Sequence, residues 1–102
     1  MGMDLIGQFR KNTPKEIVAK HEGDPHIHYN WTGWAFLINF LMSHGVDTSE
    51  FGDNSGELIK RDTCAAVARC LKAHLSKLKL GDRLWLLPHI EKWEWAKNYK
   101  QY

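Results

Sequence analysis

The chain has 102 residues, of which 43% are hydrophobic and 25% charged, with a formal net charge of +2 at neutral pH. That balance is typical of one globular domain spanning residues 1–102, and it argues against whole-chain disorder or a second domain. No apolar run is long enough to cross a bilayer, and no basic stretch precedes an apolar segment at the N-terminus. The expectation is therefore a soluble, cytoplasmic protein without membrane contact.

In chain order, Thr13-Pro14-Lys15-Glu16 has the pattern of a helix start, with a capping hydroxyl, a first-turn proline and an acid three positions on. It predicts a helix over 14–22, stopped by Gly23-Asp24-Pro25. The alternation of His26-Ile27-His28-Tyr29 suits a short strand over 26–29. Asn30 caps a helix over 31–44 that ends at Gly45. Apolar residues lie on both its sides, Trp31, Trp34, Leu37, Ile38, Leu41 and Met42 on one and Phe36 and Phe40 on the other. This predicts a central helix buried on both faces.

A polar loop follows, and Leu58-Ile59 reads as a scrap of strand near 57–59, placed against 26–29. Residues 61–78 form the clearest amphipathic pattern, with Cys64, Val67, Ala68, Leu71, Leu75 and Leu78 as the apolar stripe. Gly81-Asp82 reads as a break, Arg83–Leu87 as a compact apolar piece ended by Pro88, and 88–97 as a last helix before a C-terminal tail. The expected fold class is mainly α, with four helices at 14–22, 31–44, 61–78 and 88–97 and at most a small β element.

Charge is unevenly placed. Residues 1–59 carry four Lys/Arg against eight Asp/Glu, a net of −4, whereas residues 60–83 carry seven against two, a net of +5. The basic segment, with Arg61, Arg69 and Lys72, could meet an acidic protein surface, a second copy or a phosphate backbone. The five tryptophans add a contact argument. Trp93 and Trp95 are about 200° apart on a helix, so one core cannot hold both. An exposed tryptophan is a frequent binding anchor.

His26-x-His28 places two imidazoles on one face of a strand, as a metal pair requires, but the sequence supplies no third ligand, so no metal and no cofactor are expected. The Asp47–Glu57 loop lacks the ligand spacing of a calcium loop. Cys64 and Cys70 point apart on one helix and read as free thiols of a reducing compartment. Cys70 and His74 are helical neighbours, yet nothing in the sequence depresses the thiol pKa, and no nucleophile, phosphate or zinc-protease motif is present. A non-enzymatic protein is therefore expected. His26, His28, Tyr29, Trp31 and Asn54 form the most plausible ligand-binding cluster, aromatic in part and rich in donors.

The order of Asn30-x-x-Gly33-Trp34, Asn54-Ser55-Gly56, Ile59, the helix from Cys64 to Leu75 and the aromatic segment Trp93–Tyr102 resembles a group of small bacterial and phage proteins of no assigned function. The likeness spans residues 28–102, with Ser55 where that group has an acid. It implies a compact domain of mobile-element origin and no particular activity.

The leading reading is a binding module acting by protein–protein contact through Trp95 or Trp93 with Arg61, Arg69 and Lys72. As a phage product, it would inhibit a host machine. Nucleic-acid binding through residues 60–83 and small-ligand or nucleotide binding at the His/Trp cluster are the alternatives.

Overall fold

The computed structural model describes residues 2–52 and 56–102. Strand β1 (Gly2–Phe9) leads to α1 (Lys15–Lys20), β2 (His26–Asn30), α2 (Trp31–Ser43), β3 (Leu58–Lys60) and α3 (Arg61–His74). A 3₁₀ turn at Leu75–Lys77 is followed by α4 (Leu80–Leu86), a second 3₁₀ turn at Leu87–His89, α5 (Ile90–Trp95) and β4 (Ala96–Gln101).

The mainly α expectation is overturned. Among the described residues the strands form one four-stranded antiparallel sheet in the order β2-β1-β4-β3, with 53% of those residues helical and 22% in strands, an α/β fold. Its two central strands are the chain's two ends. The N-terminal segment alternates Met3, Leu5 and Gly7 inward with Asp4, Ile6 and Gln8 outward, a strand period. The supposed C-terminal tail pairs along β1 from Leu5↔Gln101 to Phe9↔Ala96. Leu58–Lys60 is a strand, but its partner is β4 and not residues 26–29.

The core lies on one face of the sheet, under the helices. Met3, Leu5, Ile27, Tyr29, Ile59, Ala96 and Tyr99 meet Trp34, Leu37, Leu41, Val67, Leu71, Leu86 and Trp93 there. The other face is open and presents His26, His28, Ile6, Leu58, Lys60 and Lys100. With only two layers, α2 is buried on one side. Trp34, Leu37, Phe40 and Leu41 face inward, while Trp31 and Met42 are exposed, contrary to the double burial expected.

The helix predicted over 14–22 is the shorter α1, and the helix over 61–78 ends at His74 in a 3₁₀ turn. The reading of 81–97 changes most. Gly81 and Asp82 lie inside α4, and Leu87 keeps a right-handed helical conformation ahead of Pro88. Proline is tolerated because it falls in the first turn of a new segment, where its missing N–H leaves no bond unmade. The chain from Leu80 to Trp95 is therefore three short helical pieces in succession, and the predicted helix at 88–97 gives way to strand at Ala96.

Candidate functional site

Two surfaces stand out, and both use α4. Leu80 and Leu84 of α4 and Leu87, which follows it in a right-handed helical conformation, stand at i, i+4 and i+7, a spacing that puts them on one helical face. The opposite side of α4 is anchored by buried Leu86. The three leucines are left 61%, 61% and 56% exposed. Together with Leu75, Ser76 and Ile90 they line a groove of about 480 Å³ whose charged residues are Lys72 and Arg83.

Lys72 also lines a smaller depression of about 260 Å³, floored by Ala65 and Ala68 and edged by Arg10, Arg69 and Glu94. Glu94 pairs with Lys72, and its carbonyl accepts from Arg10 Nη2. The Arg10 guanidinium lies over the Trp95 ring at 5.4 Å from its centroid, a cation–π arrangement. Both Arg10 and Arg83 keep a buried Nε donor that finds no acceptor among the described residues.

The residues predicted for partner contact therefore divide. Arg69 and Lys72 line the smaller depression, and Trp95 adjoins it through Arg10. Arg61 is exposed at the first residue of α3 and lines neither depression. Trp93 is fully buried and is removed from any contact surface. Its indole N–H donates to the Tyr29 hydroxyl at 3.1 Å, and its ring packs edge-on against Tyr99 at 5.0 Å. The expectation that the two tryptophans cannot share one core agrees with this arrangement, in which Arg10 covers Trp95.

The second surface is a pocket of about 520 Å³ between the end of β2, the start of α2 and α4, lined by His28, Tyr29, Asn30, Thr32, Gly33, Phe36, Asp82 and Trp85. Trp85 forms its hub. Its N–H donates to Asp82 at 3.2 Å, and its ring meets Phe36 at 5.8 Å and Tyr29 at 6.0 Å, both edge-on. Of the predicted ligand cluster, His28 and Tyr29 line this pocket, while His26 and Trp31 do not. Asn54 lies outside the described residues.

Behind the pocket runs a buried polar chain. Tyr29 accepts from Trp93 and is left to donate to His89 Nδ1 at 3.1 Å. Burial, with Lys92 nearby, lowers the His89 pKa to about 4, so the ring is neutral at pH 7 and serves as the acceptor. Burial raises the Tyr29 hydroxyl well above the usual phenol range.

The His26/His28 pair gains a carboxylate that was not recognised in the sequence. Asp4, opposite His28 on β1, accepts from His28 Nδ1 at 2.9 Å and from His26 Nε2 at 3.3 Å. Those bonds, His28's first, lower the Asp4 pKa. Among the described residues no set of three such side chains is arranged to hold a metal ion.

The thiols are both buried. Burial pushes the Cys64 pKa up to about 12, with Glu50 adding to the rise, and burial raises Cys70. His74 stacks on His44 at 3.8 Å and so turns to another imidazole. Among the described residues no helix is long and apolar enough to span a membrane.

Comparison with family models, curated proteins and solved structures returned no match to this chain.

Proposed function

We propose that this protein is a non-enzymatic binding module that acts by contact with another protein, using the leucine groove of α4 and the basic depression beside it. The observation that carries the reading is the exposure of Leu80, Leu84 and Leu87 on one face. Scattered exposed leucines need no explanation, but three in register along a groove form the contiguous apolar patch that marks interaction sites. Covering them would contribute roughly 1–2 kcal/mol each. Two of the residues singled out from the sequence, Arg69 and Lys72, edge this surface. A role as an inhibitor carried by a phage or mobile element rests on the resemblance alone.

Capture by the immobilised full-length protein, compared with its Leu84→Glu variant, tests the reading. Specific capture by the parent that is lost in the variant is expected. Equal capture by both, or none by either, overturns it.

A second reading, binding of a small ligand, is favoured by the aromatic pocket around Trp85, whose volume is in the usual range for such sites. Here a ligand should move the Trp85 indole N–H resonance, and Trp85→Ala should abolish its thermal stabilisation of the protein. A ligand whose effect survives Trp85→Ala counts against this pocket.

A further inference from the structure

The following rests on the protein-contact reading and names the partner's chemistry. We infer that the α4 groove receives an amphipathic α-helix of a different protein, apolar on its buried face and acidic along its flanks.

The shape argues for a helix. Leu80 to Leu87 spans about 10 Å, two helical turns. Helix-in-groove recognition uses apolar anchors at i, i+3 or i+4, and i+7, which repeat over that same distance. Five of the groove's lining residues, Leu75, Leu80, Leu84, Leu87 and Ile90, are apolar.

The charge argues for acid. Lys72 and Arg83 line the groove, Arg10 and Arg69 edge the adjoining depression, and among the described residues Glu94 is the one carboxylate lining either. Four cations thus share one acid along a continuous surface, with Lys72 common to both parts. Carboxylates on the flanks of an incoming helix would pair with these cations, in the forked geometry that arginine favours.

The two helices of the chain's acidic half do not fit this description. α2, the longest in the acidic half, contains no Asp or Glu, and α1 has six residues and buries none. A second copy therefore cannot present an acidic apolar ridge from those elements. A bare phosphate backbone would leave the leucines uncovered.

Selection from a library of soluble helical peptides, with acidic, basic and apolar residues equally represented, tests the inference on the full-length protein. Recovered peptides are expected to carry apolar residues at i, i+4 and i+7, to be net acidic, and to weaken as salt rises. Leu84→Glu, Lys72→Glu and Arg83→Glu should each reduce their affinity at least about tenfold. An unchanged melting curve for Leu84→Glu confirms that the fold is intact, since this leucine is exposed. Peptides that are neutral or basic yet still lost with Leu84→Glu overturn the acidic helix and leave the contact reading standing. If no recovered peptide responds to Leu84→Glu, both fail.

Discussion

Several residues hold positions that no other residue type could occupy at equal stability. A Cβ on Gly7 would stand 2.0 Å from the Asn98 carbonyl oxygen and 2.9 Å from the Tyr99 ring, so β1 and β4 pack at this distance because the position is glycine. Gly7→Ala should destabilise the fold by at least about 2 kcal/mol in urea unfolding. Gly81 is the opposite case, a helical glycine with open space where its Cβ would be. Gly81→Ala should stabilise by roughly 0.5–1 kcal/mol, because alanine loses less backbone entropy in a helix. Gln101 is fully buried and ties the loop after α2 to the sheet. Its Oε1 accepts from the Gly52 N–H at 2.8 Å, and its Nε2 donates to the Glu50 carbonyl at 2.8 Å and the Glu57 carbonyl at 3.3 Å. Gln101→Glu removes the donor from two carbonyls and should cost about 2–3 kcal/mol, with amide exchange rising in residues 47–52.

Among the elements, α2 and α4 bear most on the sites. The start of α2 is held by Asn30, whose Oδ1 accepts from the Gly33 N–H at 2.6 Å. Asn30→Ala should lower stability by about 1 kcal/mol, measured by denaturant unfolding, and should loosen the pocket edge that Asn30 and Gly33 form. This cap was legible because Asn followed by an apolar helical pattern is a local signal. α4 was not legible, because Gly81 and Pro88 are breakers by propensity. The leucine spacing 80, 84, 87 was present in the sequence, but it has meaning only once Gly81 is helical. Gly81 lies one residue into the helix, where its propensity cost is outweighed by the packing of Leu86 beneath.

At the scale of the whole molecule, the desolvated His89 bonded to Tyr29 makes the protein sensitive to acid. The Trp93–Tyr29–His89 chain lies between the sheet and α5, and it requires a neutral imidazole. His89 falls to about 4 in the fold from an ordinary 6.5. The unfolded chain thus binds a proton that the folded one refuses, and stability must fall as pH drops from about 6.5 to about 4. The loss is on the order of 3 kcal/mol. Denaturant unfolding at pH 7.5, 5.5 and 4 should show it, and His89→Gln should flatten that part of the profile. Asp4 and Glu91, whose pKa values are lowered chiefly by bonds from His28 and His21, contribute stability that is lost at still lower pH, as each is protonated. A profile unchanged by His89→Gln would show that His89 does not set the loss between about pH 6.5 and 4.

Local patterns by themselves determined the starts of α2 and α3, the inward stripe of α3, the strand character of residues 26–29 and the impossibility of burying Trp93 and Trp95 together. Each depends on residues within a few positions of one another. The sheet was decided by the tertiary structure, because its central pair joins Gly2–Phe9 to Ala96–Gln101, and strand pairing carries no local signature of its partner. The same holds for the sites. Asp4 reaches the histidines only across β1–β2, Trp85 meets Tyr29 and Phe36 only because α4 folds over α2, and Lys72 joins groove to depression only where α3 packs on α5. The leucines became a surface feature for a related reason. Hydrophobic residues in sequence predict burial, and only the packed structure reveals which of them the core has left outside.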